Sequence, residues 1–349
     1  MKRLINKFIL HLRQKGAMKT SATGPLQYSP ENGTQGASVS RQQPSGTNIT
    51  AAKWDKSDTA YSTEGFKEYW ELLEDVQRYQ ATMMAKGKDI FEYIASFLPK
   101  DKVLSNLNGL IIGCMHGEET PAVSLARTGA FRELTIIDIA DGLLRNQERI
   151  TEKMRMNHIL KYKCMDLNTD SITERDTYDF IFSVGTIHHI ERLEGLFEEI
   201  NNALRNDGIF AMREYIGPCY LQATDKQLRI ADTILQCLPD YLKMQKNGII
   251  KHKAWKPSKE EIIADDPSEA LRSEDIMSVV QNSLEALTIN MTGGTLLNSL
   301  LHGIAGNFEK GESERAVLKT IIAFERTLVE EGVLPSDYVF LVAKKKLCR

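Results

Sequence analysis

The chain has 349 residues, of which 42% are hydrophobic and 26% charged. This composition is ordinary for a globular protein and excludes collagen-like, wholly disordered and disulfide-scaffold classes. Five scattered cysteines without a CxxC pair favour a reducing compartment, and we expect a cytoplasmic protein. Residues 1–50 carry a net charge of +6, which leaves −9 for the rest of a chain whose total is −3. That acidic body argues against general nucleic-acid binding.

The first 52 residues are predicted to be a disordered basic tail and linker. Residues 1–15 fit a short basic amphipathic helix. We favour a solvated tail there, and contact with a membrane surface or a partner is the alternative. Residues 20–50 are rich in Ser, Thr, Gln, Asn, Gly and Pro and have little to bury, which predicts a linker. Residues 53–105 have helical apolar spacing and predict an N-terminal helical lid.

Between residues 106 and 218, short apolar strands alternate with amphipathic helices, a pattern typical of a parallel, doubly wound sheet. Residues 219–283 interrupt this rhythm and predict a helical cap insertion. Residues 284–349 return to the sheet and complete seven strands. The predicted strands are Gly109–Gly113, Leu134–Asp138, Tyr162–Asp166, Phe180–Val184, Ile209–Met212, Leu284–Met291 and Asp337–Ala343.

Polar and glycine residues follow each of the first four strands, where ligands bind in open parallel sheets. Gly113 and Gly117 follow the first strand, but Met115 occupies the second glycine position of the dinucleotide fingerprint, so that pattern fails. Asp138 ends the second strand, where a carboxylate can accept hydrogen bonds from both hydroxyls of a ribose. Asp166 ends the third strand, and the alternative for it is a solvated turn.

Several stretches in the right order resemble the class I S-adenosylmethionine-dependent methyltransferases. They are Leu110–Gly117, Asp138 followed by Gly142-Leu143-Leu144, Asp166, and Tyr178–Ser183 leading into His188-His189. The resemblance covers about residues 106–216. It implies an α/β fold with a seven-stranded, mostly parallel Rossmann-like sheet whose final strand is antiparallel. It also implies S-adenosylmethionine as the cofactor.

The resemblance further implies a set of cofactor-binding residues. The first loop would hold the methionine part, the ends of the second and third strands would hold the ribose and the adenine, and the fourth strand end would face the sulfonium. In chain order these residues are Gly113, Cys114, Gly117, Asp138, Ile139, Asp166, Leu167, Ser183, Val184 and Gly185. Trp54, Tyr61 and Tyr69 are expected either to close over the cofactor or to pack in the core.

The catalytic candidates follow the fourth and fifth strands. Glu214 is the first candidate for a general base, His188 the second, and Tyr215 is a candidate positioning group. The alternatives are an ion pair of Glu214 with Arg213 and a structural histidine. We predict no metal site, because no second ligand group has matching spacing.

The function predicted from these residues is methyl transfer to an oxygen or nitrogen of a small molecule. A non-catalytic S-adenosylmethionine-binding protein is one alternative, favoured by Ile111 and Met115, where the family places an acid and a glycine. An NAD-dependent oxidoreductase on a similar sheet is the other.

Overall fold

The computed structural model describes residues 46–55, 67–99 and 104–347. Seven strands form one sheet in the order β3-β2-β1-β4-β5-β7-β6. Strand β7 runs antiparallel to both of its neighbours, and the other four pairings are parallel. The predicted α/β fold with a mostly parallel sheet is therefore confirmed. The strands are β1 (Leu107–Ile112), β2 (Phe131–Asp138), β3 (Leu160–Cys164), β4 (Tyr178–Val184), β5 (Leu204–Tyr215), β6 (Leu284–Gly293) and β7 (Tyr338–Lys345).

The strand order turns back between β1 and β4, because β2 and β3 lie on one side of β1 while β4 and β5 lie on the other. A sheet of this kind has its ligand crevice at that switch point, outside the carboxyl ends of the strands. The fold thus brings the loops after β1, β2, β3 and β4 to one edge, as the sequence predicted.

Strand β5 begins earlier than predicted. Tyr178 pairs with Leu204, whereas Phe180 already pairs with Ile209, so the register shifts across the Asp207-Gly208 turn. A bulge of this kind keeps pairing on both sides of the extra residues. The sequence placed the strand start after the turn because glycine and aspartate usually mark strand ends.

The helices lie on both faces of the sheet and in the added regions. Pro121 starts one helix at a position where its missing N–H costs nothing. The helices of four or more residues are α1 (Gly46–Trp54), α2 (Glu74–Ala85), α3 (Ile90–Ala95), α4 (Pro121–Arg127), α5 (Asp141–Lys153), α6 (Leu193–Ala203), α7 (Asp225–Cys237), α8 (Asp240–Lys243), α9 (Lys259–Asp265), α10 (Ile276–Ser283), α11 (Leu297–Leu301) and α12 (Glu312–Glu330).

Apolar side chains fill three clusters. The α6 stripe predicted from its spacing, Leu193, Leu196, Phe197 and Ile200, is fully buried with α10 against one face of the sheet. Residues of α3 and α4 cover the other face. A third cluster joins Trp70 and Leu73 of the N-terminal region to α7, α11 and α12. The lid, the cap insertion and the C-terminal helices therefore pack together as one layer beyond the sheet.

The predicted boundary of the linker at residue 52 is corrected by the structure. Helix α1 starts at Gly46, and its Thr50 is only 5% exposed. Burial of Thr50 against the cap, a contact across more than 200 residues, overrides the polar local composition. The prediction for residues 1–15 lies outside the described residues. Within the described ranges, no helix is both long and apolar enough to cross a membrane.

Candidate functional site

A cavity of about 860 Å³ opens at the carboxyl ends of the parallel strands. This volume falls in the range of roughly 300–1,000 Å³ that small-molecule and cofactor sites occupy. The loops after β1, β2, β3 and β4 line it, and so do the N-terminal helices and the cap. Of the predicted cofactor-binding residues, those that line it are Cys114, Asp138, Ile139, Asp166, Leu167, Val184 and Gly185.

The loop after β1 is held by the neighbouring strand ends. Gly113 has φ +97° and donates its N–H to the Ile137 carbonyl. A Cβ at Gly113 would lie 2.0 Å from Thr186 Oγ1. The β1 and β4 loops therefore approach so closely that only glycine fits both the space and the left-handed backbone.

Asp138 organises the floor of the cavity. One carboxylate oxygen accepts the Cys114 N–H at 2.7 Å, and the other accepts the Ala140 N–H at 2.8 Å. Burial raises the pKa of Asp138, and the hydrogen bonds from Ala140 and Cys114 oppose that rise. Each carboxylate oxygen has two lone pairs, so the group can still accept hydrogen bonds from a ligand in the cavity.

Asp166 and the residues after it form a turn that reaches the β4 loop. Asp166 Oδ1 accepts the Asn168 N–H at 2.9 Å. The Asn168 side chain donates to the His189 carbonyl at 3.1 Å and accepts the Glu191 N–H at 2.7 Å. Because Asn168 joins the loops after β3 and β4, their polar groups keep a fixed separation across the cavity.

Three predicted cofactor residues do not line this cavity. Gly113 lies just behind it, against Thr186. Both the N–H and the carbonyl of Gly117 are bound to the Gln147 side chain, at 2.8 and 2.7 Å. Ser183 is fully buried, because consecutive strand residues point to opposite faces and its neighbour Val184 takes the cavity side.

The three predicted catalytic residues also lie behind the cavity wall. Glu214 is 0% exposed and accepts hydrogen bonds from the Thr186, Ile187 and Tyr215 N–H groups. Its other partner is His188 Nδ1, at 2.5 Å, and Arg213 pairs with Glu71, so the alternative of an ion pair between Glu214 and Arg213 is not found. Tyr215 donates to the Pro218 carbonyl at 2.9 Å. In these positions Glu214, His188 and Tyr215 shape the β4 loop and do not line the cavity.

The charges of Glu214 and His188 stabilise each other. Burial alone raises the pKa of Glu214, but the positive charge and hydrogen bond of His188 outweigh burial and hold that pKa below its ordinary value. Burial likewise lowers the pKa of His188, and Glu214 outweighs it and raises that pKa to about 9. At neutral pH the pair is therefore ionised.

A polar group on the β5 side of the cavity was missed by the sequence analysis. Arg213 donates to Glu71 Oε1 at 2.5 Å and to Gln80 Oε1 at 3.1 Å. The Nε2 of Gln80 is buried, has no partner among the described residues, and belongs to a side chain that lines the cavity. Spacing could not reveal this group, because Glu71 and Gln80 come from the lid, more than 130 residues before Arg213.

The lid and the cap meet over the β4 loop. Thr50 Oγ1 donates to Asp266 Oδ1 at 2.8 Å, and Trp54 Nε1 donates to Asp266 Oδ2 at 3.1 Å. Trp54 also makes an edge contact with the His189 ring, with centroids 5.7 Å apart. Trp54 and Tyr69 line the cavity, which fits the first of the two roles considered for them, and Tyr61 lies outside the described residues.

Residues 110–210 match the family model described as "Methyltransferase domain". These residues are therefore a methyltransferase domain, in agreement with the predicted resemblance to the class I S-adenosylmethionine-dependent methyltransferases. The match spans β1 to the middle of β5, the stretch that supplies the loops after the first four strands. A comparison with curated proteins finds no significant match.

Solved structures of similar architecture share little sequence with this chain. Geranyl diphosphate C-methyltransferase from Streptomyces coelicolor is 14% identical, with 87% of this chain and 100% of that chain covered and a TM-score of 0.48. The [4+2]-cyclase SpnF is 12% identical, with 87% and 98% covered and a TM-score of 0.46. Phosphoethanolamine N-methyltransferase 2 from Haemonchus contortus is 15% identical, with 88% and 59% covered and a TM-score of 0.45.

Proposed function

We propose that this methyltransferase moves a methyl group from S-adenosylmethionine to an oxygen or nitrogen of a small, mainly apolar molecule. The observation that carries the proposal is that Asp138 and Asp166 line one cavity with the β4 loop and the lid. One such space has room for the cofactor and the acceptor side by side. In-line transfer requires that arrangement.

The cofactor occupies the half of the cavity next to β1, β2 and β3. Asp138 accepts hydrogen bonds from the ribose hydroxyls, and Ile139 packs against the adenine. Asp166 and Leu167 meet the adenine edge. The methionine part lies along Cys114, whose N–H is fixed by Asp138. We retain Gly113 as the residue that lets this loop turn, and Gly117 and Ser183 as structural neighbours of the site.

The acceptor occupies the half next to β4 and β5. Its walls are the apolar side chains Leu72, Ala81, Met84, Ile90 and Phe91. An apolar body would bury surface there at about 25 cal/mol per Å². The unpartnered Gln80 amide beside Arg213 would donate a hydrogen bond to an oxygen or nitrogen of the acceptor, because a buried donor without a partner is costly.

Catalysis in this proposal is mainly alignment and exclusion of water. The sulfonium already activates the methyl group, so the protein must hold the acceptor atom in line and close the cavity. The lid residue Trp54 and the cap residues Pro267, Ser268 and Leu271 cover the opening. Glu214, His188 and Tyr215 act as positioning residues that fix the β4 loop at Thr186 and Ile187.

Calorimetric titration of the full chain with S-adenosylhomocysteine tests the cofactor half. We expect one site, and Asp138→Ala should weaken it by about 1–3 kcal/mol, the scale of a lost hydrogen bond to a charged group. Asp141→Ala is the matched control, since that aspartate pairs with Arg145 on the surface. Absence of binding by the unmodified chain, together with binding of NADH, would overturn the proposal.

Formation of S-adenosylhomocysteine with panels of apolar alcohols, phenols and amines tests the acceptor half. Turnover with a member of one panel supports the proposal and identifies the acceptor atom. Tight cofactor binding, with transfer to carbon nucleophiles and to none of these acceptors, would contradict the oxygen or nitrogen assignment. Cofactor binding with no transfer to any nucleophile would favour the non-catalytic alternative.

A further inference from the structure

Two consecutive histidines and one cap carboxylate meet beside the cavity. His188, His189 and Glu269 each offer one ligand atom, and these atoms all lie within 4.8 Å of one another. His188 Nε2 lies 3.5 Å from Glu269 Oε1. The histidines follow β4, whereas Glu269 belongs to the cap about 80 residues later. The third member of the group is thus supplied by the fold and not by local spacing.

The other ring nitrogen of each histidine already faces a buried carboxylate. His188 Nδ1 lies 2.5 Å from Glu214 Oε1. His189 Nδ1 lies 2.9 Å from Ser268 Oγ and 3.8 Å from Asp266 Oδ2. Metal-binding histidines nearly always donate their second N–H to a carboxylate or a similar acceptor, which fixes the ring and the tautomer. Both histidines have that support, which leaves Nε2 of each as the ligand atom.

One of these two nitrogens belongs to a deeply buried ring. His189 is 9% exposed, and its Nε2 is buried without a hydrogen bond among the described residues. Such groups are rare in folded proteins and often indicate a ligand or an ion. The second ring lies close by, since the His188 and His189 centroids are 4.1 Å apart.

The charge of the cluster also favours a cation. Asp266 is 0% exposed and the Glu269 side chain is 17% exposed, while the fully buried Glu214 is already paired with His188. Buried carboxylates are stable only when they are paired or bind metal. Lys53 reaches Asp266 at 3.9 Å, but its closer partner is the exposed Asp265 at 2.7 Å. A dication between the imidazoles and Glu269 would offset the remaining negative charge.

We propose that His188, His189 and Glu269 bind one divalent transition-metal ion such as zinc. Two imidazoles and one carboxylate suit zinc, iron, nickel and copper better than calcium or magnesium. Zinc ligands lie about 2.0–2.2 Å from the ion, so the three side chains would draw together by about 1–2 Å. The earlier prediction of no metal site is replaced by this proposal, because spacing along the chain did not reveal Glu269.

The position of the ion assigns it a role at the junction of core and cap. His188 and His189 belong to the loop that Glu214 fixes, and Glu269 belongs to the segment that covers the cavity. Bound metal would tie the cap to the β4 loop. Three protein ligands also leave a coordination position for water or another ligand. This inference does not depend on the proposed acceptor or on methyl transfer.

The test begins with full-length protein stripped by a chelator and titrated with Zn²⁺ and with Co²⁺. The titration is run at about pH 8 and repeated at higher pH, because the ion must displace the proton that His188 holds beside Glu214. We expect one equivalent to bind, a higher unfolding temperature with metal, and a cobalt absorption spectrum typical of nitrogen and oxygen ligands. X-ray absorption at the zinc edge of the unmodified protein should report two imidazoles, which requires no variant to fold.

Variants then locate the ion. His189→Gln and Glu269→Gln each remove a ligand, and each should weaken binding by more than the roughly 10–100-fold expected for loss of an outer partner. His252→Gln is the matched control, because His252 is exposed and lies outside the cluster. Failure of the unmodified protein to bind one equivalent would overturn the proposal. Unchanged affinity in folded His189→Gln and Glu269→Gln variants, or imidazole-free zinc in the absorption spectrum, would do the same.

Discussion

The proposed cofactor and acceptor halves of the cavity are built in different ways. On the cofactor side, the organising contacts join neighbouring units of the sheet: Cys114 to Asp138 across 24 residues, and Gly117 to Gln147 across 30. On the acceptor side, Arg213 meets Glu71 across 142 residues, and Thr50 meets Asp266 across 216. The first half follows from strand order alone, whereas the second requires the lid and the cap to be in place.

This difference assigns separate tasks to the two halves. A cofactor site made from strand ends is as rigid as the sheet that carries it. The N-terminal residues Trp70, Leu73 and Val76 pack in a cluster without any residue of β1 to β4, so that part of the acceptor side can change without disturbing the cofactor, whereas Met84, Ile90 and Phe91 share a cluster with β1 and β2. Substitutions on the acceptor side should therefore alter stability and acceptor use while the affinity for the cofactor stays nearly constant.

Gly113 is the point where the two halves touch, and its substitution should have the largest effect. In Gly113→Ala the new Cβ would lie 2.0 Å from Thr186 Oγ1, at φ +97°. Backbone strain of about 1–3 kcal/mol and overpacking of about 1–3 kcal/mol together predict that the free energy of unfolding falls by roughly 2–6 kcal/mol. Chemical unfolding and titration with S-adenosylhomocysteine should both report the loss.

A matched variant separates strain from collision. Gly129→Ala has φ +71° with nothing within 4 Å of the new Cβ, so it should lose only the strain. Adding Thr186→Ala to Gly113→Ala removes the nearest atom and should recover part of the stability. Equal losses for Gly113→Ala and Gly129→Ala would show that the β1 and β4 loops do not meet as described.

The pH dependence of stability tests the contacts between distant segments through the buried carboxyl group of Asp337. Asp337 is 5% exposed just before β7 and accepts hydrogen bonds from Gln227 Nε2 at 3.0 and 3.2 Å. Burial, followed by repulsion from Glu325, raises its pKa from 3.8 to about 7. The folded state then holds a proton that the unfolded state has lost, so its stabilising contribution is complete below about pH 4 and is lost as pH rises to 7.

At about 1.4 kcal/mol per unit of pKa, this single group could account for up to about 4 kcal/mol between acidic and neutral pH. Asp337→Asn should therefore raise the free energy of unfolding near pH 7.5 and flatten its decline between about pH 4 and 7. Glu331→Gln, an exposed change of the same charge, is the control. A pH profile that is identical in Asp337→Asn and the unmodified protein would remove Asp337 from this role.

Arg213→Gln should show the independence of the halves directly. The substitution removes the cation that pairs with Glu71 and a hydrogen-bond donor to Gln80. Because the Glu71 side chain is 35% exposed, we expect the free energy of unfolding to fall by only about 1–3 kcal/mol. Strand β5 lies three positions from β2, about 14 Å away at ordinary strand spacing. The affinity for S-adenosylhomocysteine should therefore stay within about twofold.

Exposed Arg132→Gln controls for the loss of charge in that experiment. A large drop in cofactor affinity for Arg213→Gln alone would mean that the acceptor half also positions the cofactor, and the comparison of the two halves would fail.

How far the sequence could predict this site depends on the range of the contacts. Asp138, Asp166 and Gly185 were placed correctly at the cavity because they follow strands whose order is predictable. Glu214 was expected to face the ligand because it ends a strand, but hydrogen bonding to the Thr186 and Ile187 N–H groups turns its carboxylate inward. The local sequence pattern does not show which of several possible partners a carboxylate will bind in the folded protein.

The lid residues were harder to predict for a related reason. Residues 46–50 read as linker because their neighbours are polar, and the signal that places Thr50 is its distant partner, Asp266. Glu71 and Gln80 lie in a segment correctly predicted as helical in part, yet their role depends on Arg213. Secondary structure was accessible from periodicity, whereas the polar interior of the acceptor half required the tertiary fold.

Thr50→Val should have the smallest effect, confined to the lid. The substitution keeps the shape but removes the hydroxyl that donates to Asp266 Oδ1 at 2.8 Å. Asp266 Oδ1 keeps its bonds from the Ser268 N–H and hydroxyl, at 3.0 and 2.7 Å, and Thr50 Oγ1 also lies 3.1 Å from Ser268 Oγ. We expect the free energy of unfolding to fall by about 0.5–1.5 kcal/mol, the net contribution of one hydrogen bond. Amide hydrogen exchange of residues 46–54 should accelerate by about 2- to 13-fold, while exchange in β1 and β4 should not change.

Thr82→Val, which removes an exposed hydroxyl from α2, is the matched control for that exchange measurement. Acceleration throughout the sheet would show that lid and core unfold together, and the acceptor half would then not be an independent unit. Acceleration limited to residues 46–54 would show that the lid opens on its own. In that case the energy that closes the cavity is set by contacts to Asp266, and variants at this carboxylate should tune acceptor entry without changing the cofactor floor.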